Sequence, residues 1–273
     1  MHTRAIPSSG EPLPVIGCGT YMGFDRAPGS ADFARLPAVL SGLHAAGGTV
    51  VDSSPMYGKA EAAVGQAVEE AGLQGQVFLA TKVWTRGRAP GLRQMEDSLR
   101  LLRTQRIDLV QVHNLLDWAS HLATLRQWKE AGRVRYLGIT HYSAPAYAEV
   151  EEVLRSERLD FLQINYSAQE REAERRLLPL AAERGVAVLV NRPFGGGGLL
   201  RRLGAKPLPA WAGEIGCGTW SQLLLKFALA PPAVTCAIPG SGSPEHMAQN
   251  AAAGSGTIPP PEFWRDKMDA FAA

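Results

Sequence analysis

Residues 107–165 read IDLVQVHNLLDWASHLATLRQWKEAGRVRYLGITHYSAPAYAEVEEVLRSERLDFLQIN, and the reading of this stretch decides the fold. Three short apolar runs, Ile107–His113, Arg135–Thr140 and Asp160–Asn165, alternate with segments of helical period at 119–131 and 144–156. Short strands that are apolar on both faces, with a helix after each, suit a parallel sheet covered by helices. The alternation extends both ways. Pro14–Cys18, Thr49–Asp52 and Val77–Lys82 precede it, and Val186–Val190 and Ala233–Pro239 follow. Helical segments at 32–47, 58–72, 90–104, 176–184, 217–230 and 244–253 complete the pattern. Gly47-Gly48, Gly72, Gly132 and Gly185 stand where a glycine closes a helix before the next strand. Pro179 fits a helix only in its first turn, so that helix begins close to Arg176. Eight strand–helix units in about 250 residues predict one (β/α)8 barrel, a single domain over residues 1–273. A doubly wound sheet would carry a Gly-x-Gly-x-x-Gly turn, and Gly17-Cys18-Gly19 lacks the third glycine. Arg4–Pro7 and Leu13–Ile16 predict an amino-terminal hairpin ahead of the barrel. Pro259–Glu262, leading into Phe263, Trp264 and Phe271, predicts a final helix packed on its outside.

Charge narrows the partners. With 28 Lys+Arg against 26 Asp+Glu the net charge is +2, without the basic excess a nucleic-acid partner needs. At 45% hydrophobic and 20% charged residues the 273-residue chain is also far from a disordered composition. Cys18, Cys217 and Cys236 form no Cys-x-x-Cys and no Cys/His cluster, which predicts three buried or half-buried thiols in a reducing compartment and no metal site. The segment MHTRAIPSSG has no apolar core and no run of about 18 apolar residues occurs, so a cytoplasmic protein without a membrane partner is expected. A monomer or weak oligomer is expected.

In such a barrel the active site lies at the carboxyl ends of the strands. Asp52 ends the second strand, with Tyr57 in the loop beyond; Lys82 ends the third and His113 the fourth. Thr140-His141, Gln163, Asn191-Arg192 and Ser241 end the remaining ones. Taken singly, Asp52 reads as a turn or cap residue, Lys82 as a rim amine, Tyr57 as packing and His113 as a satisfied strand-end histidine. Taken together they place a carboxylate, a phenol, an amine and an imidazole on one rim. A buried lysine needs a counter-charge, and Asp52 is the available one. An ammonium about 4 Å from a phenol favours phenolate by up to about 4 kcal/mol at a dielectric near 20, roughly three pKa units, part of which desolvation returns. Such a Tyr–Lys pair suits protonation of an oxyanion formed when a carbonyl is reduced, and His113 beside it could orient the carbonyl or relay a proton.

The segments Val50–Gly58 with Glu61, Ala80–Trp84, Asp108–His113, Tyr136–Thr140 and Ala237–Ser241 with Asn250 resemble the aldo-keto reductase family, in order and over essentially the whole chain. Within that family the chain resembles a bacterial, short-loop member. The resemblance implies the same barrel and reversible hydride transfer between a nicotinamide cofactor and an aldehyde or ketone. It makes Tyr57 the general acid, Lys82 its pKa-lowering partner, Asp52 the partner of Lys82, and His113 the carbonyl-orienting group. It also places Gly19, Thr20, Tyr21, Asp52, Thr140, His141, Gln163, Asn191, Arg192, Phe194, Ser241, His246 and Asn250 along the cofactor.

Some of these positions depart from the family pattern. His141 stands where the family has Asn, and Asn191 where many members have an aromatic platform, with Phe194 a substitute. Gly195–Gly198 fall in the loop that covers the pyrophosphate, where bare backbone approaches phosphate closely and where a merely mobile loop is the alternative. Gly240 and His246 replace the basic residues that often hold a 2′-phosphate, so NADPH is placed ahead of NADH on family habit alone. Tyr21, Trp84 and Trp118 are expected to line a pocket for a small apolar or aromatic carbonyl compound. The short connection after His113 predicts an open site of broad specificity. Two other classes compete: a nucleotide-binding sensor barrel without turnover, and a metal-dependent hydrolase using Asp52, His113 and His141. The complete quartet speaks against the first, and Lys82 beside the metal against the second.

Overall fold

The computed structural model describes residues 1–272. Eight parallel strands follow one another in sequence order: β3 (Cys18–Gly19), β4 (Val50–Asp52), β5 (Phe78–Val83), β6 (Ile107–His113), β7 (Val134–His141), β8 (Phe161–Asn165), β9 (Ala187–Asn191) and β10 (Val234–Ala237). The last strand returns to the first: the Gly17 amide donates to Ala237 O at 2.9 Å and Gly19 to Pro239 O at 3.0 Å. That closure makes the sheet the expected (β/α)8 barrel. Eight helices alternate with the strands outside it: α1 (Leu36–Ala45), α2 (Ala60–Glu70), α3 (Arg88–Leu101), α4 (Trp118–Glu130), α5 (Tyr147–Ser156), α6 (Leu177–Glu183), α8 (Trp220–Leu229) and α9 (Pro244–Ala252). Between α6 and α8, after β9, lies a further short helix, α7 (Gly198–Leu203).

The two-residue period of a strand sorts its side chains. Leu79, Val83, Val110 and Val112 face the helices in one large apolar cluster, whereas Phe78, Ala80, Leu109, Tyr136, Phe161, Ala187 and Leu189 fill the barrel interior. Continuing the inward series toward the carboxyl ends brings Lys82, Gln111, His113, Thr140, Gln163 and Asn191. The interior thus changes from apolar at one end to polar at the other. Strand register sets these groups level, with Asp52 beside Ala80, Lys82 beside Gln111, and Thr140 beside both His113 and Gln163.

The apolar end is plugged by a hairpin of β1 (Thr3–Ala5) and β2 (Pro12–Pro14). Just beyond β1 the Ile6 amide still donates across the hairpin to Glu11 O at 2.8 Å, and the Ile6 side chain joins Leu13 in the interior cluster. Two differences from the sequence reading stand out. Helix α7 occupies a stretch expected as loop, and its buried pair Leu199 and Leu203 was masked by the preceding glycines. The carboxyl-terminal segment Pro261–Phe271 is a 3-10 helix, with Trp264 and Phe271 buried against Phe227. All three cysteines are buried free thiols, and burial pushes Cys18 up to about 12. No helix among the described residues is long and apolar enough to cross a membrane.

Candidate active site

At the polar end of the barrel the Lys82 ammonium lies 2.7 Å from Asp52 Oδ2 and donates to Ser53 O at the same distance, with side chains 1% and 2% exposed. Burial alone would lower this ammonium, but Asp52 and then Tyr57 outweigh it and hold the group above its usual range. Burial pushes the Asp52 carboxyl up, against the pull of Lys82. Two amides complete the cage: Gln163 Nε2 donates to Asp52 Oδ2 at 3.3 Å, and Gln111 Nε2 donates to Gln163 Oε1 at 2.7 Å and lies 3.5 Å from Asp52 Oδ1.

Tyr57 sits above this pair, with Lys82 Nζ 5.2 Å from its ring centroid. The sequence suggested a depressed phenol pKa. Burial instead raises the hydroxyl above its ordinary value, and Lys82 only offsets part of that rise. The physical reason is depth: desolvating a phenolate costs more here than one nearby ammonium returns. The group is therefore a phenol at neutral pH, as a proton donor must be.

His113 meets the Tyr57 ring edge-on, with centroids 6.3 Å apart. Burial first, then the positive charge of Lys82 and the proximity of His141, push its imidazole down to about 3. It is neutral at any ordinary pH. Its Nδ1 is 3.3 Å from Ser54 Oγ. The structure thus brings Asp52, Tyr57, Lys82 and His113 together at one rim.

The rim around them is apolar and open. Tyr21 packs at 5.1 Å on Tyr57 yet is 63% exposed, and Trp84 lies 6.1 Å from His113. Met22, Met56 and Tyr142 are exposed as well. Trp118 opens α4 and, like Tyr57, packs half-buried on the core between strands and helices.

The remaining predicted residues divide by what already occupies them. The Thr20 hydroxyl is turned inward, donating to Asp52 O at 3.0 Å. Gln163 is tied to Asp52 and Gln111, so its amide belongs to the cage. His141 Nδ1 accepts the Ser143 amide at 3.1 Å, and its ring stacks on Tyr142. Asn191 Oδ1 is buried with no partner. Arg192 is exposed and lies 3.8 Å from Glu170. Phe194 is buried, and the buried backbone of Gly19 packs against Ile238 O. Ser241 bonds locally to Ser243, whose hydroxyl caps α9 through the exposed His246, and Asn250 is buried in the same helix. Gln111 and Ser54 went unnoticed in the sequence. Their signal was present: each lies two residues from a quartet member, so each falls on the same inward series or the same loop.

A hydrolytic metal at Asp52, His113 and His141 finds no opening here, since the Asp52 oxygen that would bind it already holds an ammonium. Among the described residues no group of three His, Cys, Asp or Glu stands close enough to hold a metal.

The sequence profile of the aldo/keto reductase family matches residues 15–265. The chain is similar to the methylglyoxal reductase YeaE of Escherichia coli (strain K12), 30% identical over 92% of this chain and 89% of that protein. It also resembles the aldo-keto reductase YhdN of Bacillus subtilis, 30% identical over 70% of this chain and 61% of that one. Among solved structures it superposes on an aldo-keto reductase of Klebsiella pneumoniae in complex with NADPH, with a TM-score of 0.78 and 29% identity over 93% of this chain and 90% of that chain. The chain belongs to the aldo/keto reductase family of oxidoreductases.

Proposed function

We propose that this chain reduces small aldehydes or ketones to alcohols with NADPH, and that Tyr57 delivers the proton. The observation that carries this reading is the Lys82–Asp52 ion pair sealed beneath the Tyr57 ring, with neutral His113 on the ring's flank. A buried ion pair contributes little to the stability of a barrel. It does hold a fixed positive charge against a phenol.

The residues at the rim suit NADP(H). A Cβ on Gly196 would lie 3.0 Å from the Arg192 guanidinium, one on Gly198 3.5 Å from Arg202, and one on Gly197 3.9 Å from Arg201. Three guanidiniums border a bare backbone run held at φ 58, 63 and 86 by Gly195, Gly196 and Gly197, which suits phosphates. The unpaired Asn191 Oδ1 suits a carboxamide N–H donor. On this reading Thr140, His141 and Asn191 hold the nicotinamide end and the glycine–arginine loop the pyrophosphate, while Ser241, His246 and Asn250 hold the adenine end. The Klebsiella relative, solved with NADPH, supports the same cofactor.

When bound, NADPH supplies a hydride to the carbonyl carbon. Tyr57 donates its hydroxyl proton to the carbonyl oxygen as charge develops there. Lys82 stabilises the phenolate left behind, and Asp52, held by Gln111 and Gln163, keeps Lys82 charged and in place. His113, neutral, hydrogen-bonds the same oxygen. The open apolar rim of Tyr21, Met56 and Trp84 accepts apolar or aromatic carbonyl compounds broadly, with the whole chain acting as one catalytic barrel. The name of the E. coli relative, a methylglyoxal reductase, agrees with a small carbonyl substrate.

The test is loss of absorbance at the reduced-nicotinamide band with an activated aromatic aldehyde, NADPH and NADH in parallel, for wild type and Tyr57→Phe. Wild type is expected to consume NADPH faster than NADH. Tyr57→Phe is expected to lose at least about 100-fold in kcat, the scale of general acid catalysis, while binding cofactor as before. Equal turnover by the two proteins would remove Tyr57 from the mechanism.

A further inference from the structure

We propose that Ser54 is a positioning residue that fixes His113 as its Nε2–H tautomer, so that the imidazole can only donate to the substrate oxygen. The proposal rests on the reductase reading above and adds a residue to it. Ser54 is fully buried, two residues beyond Asp52 in the loop that carries Tyr57. Its Oγ accepts the Met56 amide at 3.2 Å and lies 3.3 Å from His113 Nδ1.

A hydroxyl has one proton and two lone pairs. One lone pair is taken by Met56 N–H. The proton has a single acceptor among the described residues, His113 Nδ1. Were Nδ1 to carry hydrogen, it would point at the second lone pair, and the Ser54 proton would be buried without a partner, at a cost buried polar groups rarely bear. So Ser54 donates and Nδ1 accepts. A neutral imidazole whose Nδ1 accepts carries its hydrogen on Nε2. Among the described residues that nitrogen has no hydrogen-bond partner, and it is not among the sealed, unsatisfied atoms. The ring lies between Tyr57 and Trp84, on the substrate side of the rim. The opposite tautomer would aim a lone pair at the lone pairs of a carbonyl oxygen. Tyr57, which meets the ring edge-on, and Lys82 and His141, whose charge bears on it, are the titratable groups that face His113, and none of them hydrogen-bonds Nδ1.

Nitrogen-15 NMR on the full-length chain labelled at histidine reads the tautomer directly, the His113 signals being those lost in His113→Gln. Wild type is expected to show a pyridine-type Nδ1 and a pyrrole-type Nε2. Ser54→Ala is expected to move both shifts toward the averaged values of mixed tautomers. It should also lower kcat roughly tenfold, part of what losing one donor to a developing oxyanion costs, with the cofactor KM unchanged. Ser54→Thr, which keeps the hydroxyl, is expected to restore both. A pyrrole-type Nδ1 in wild type, which needs no variant to detect, would overturn the proposal. So would Ser54→Ala with unaltered shifts. A wild type with the Nε2–H tautomer and no turnover on any carbonyl would overturn the reductase reading while supporting the tautomer assignment.

Discussion

Lys82 concentrates the chemistry and the risk of this barrel in one side chain. Its ammonium is 1% exposed and satisfied by one carboxylate and one backbone carbonyl. Removing one member of a buried ion pair strands the other, at about 3–5 kcal/mol. Lys82→Met is therefore expected to lose that much stability, read by urea unfolding, together with at least about 100-fold in NADPH oxidation. Adding Asp52→Asn removes the stranded charge. The double variant should regain most of the stability and none of the activity, a non-additivity that a double-mutant cycle measures. The identity of these two residues was plain in the sequence. The raised Tyr57 hydroxyl was not, because burial depth is a property of the assembled rim.

The element that matters most for Tyr57, the proposed proton donor, is the connection from β4 to α2, which carries Ser54, Tyr57 and Gly58. Gly58 has φ 61, and a Cβ there would come within 2.4 Å of Asp25 Oδ1. That same oxygen accepts the Lys59 amide at 2.9 Å. Asp25, in the loop after β3, thus pins the turn that aims Tyr57. In Gly58→Ala the left-handed backbone costs about 1–2 kcal/mol and the added methyl pushes Asp25 away. The expected result is a fall in kcat of at least roughly tenfold, since small misplacements of a reacting group are costly. Stopped-flow turnover beside a denaturation curve checks both numbers. A Tyr-Gly pair is visible in the sequence, but its dependence on Asp25 is not, since the two belong to different loops that only the barrel brings together.

Across the whole molecule, stability and chemistry are placed at opposite ends. Ile6 and Leu13 close the apolar end beneath Phe78, Tyr136 and Phe161, and the polar layer lies at the far end of the same strands. Ile6→Ala leaves a cavity where little can collapse, because the surrounding strands are held in register. It is expected to cost about 2–5 kcal/mol, read as a lower thermal midpoint. KM and kcat at 25 °C are expected to be unchanged, because nothing in the plug reaches the rim. A shift in KM would show that the two ends are coupled through the barrel.

Periodicity and punctuation in the sequence were enough to determine a (β/α)8 barrel, because each strand–helix unit writes its own local signal and eight of them leave one way to close. Position in that pattern was also enough to put Asp52, Tyr57, Lys82 and His113 on one rim, since strand ends are legible one strand at a time. The partners of those residues were decided only in three dimensions. Gln163 turned to Asp52 because Gln111 on the strand two away met it inside the barrel. Thr20 turned inward to the Asp52 carbonyl. Ser54 acquired a meaning through His113, 59 positions along the chain. A hydrogen bond depends on two groups and the space between them. The sequence records each group, and only the closed sheet sets the distance.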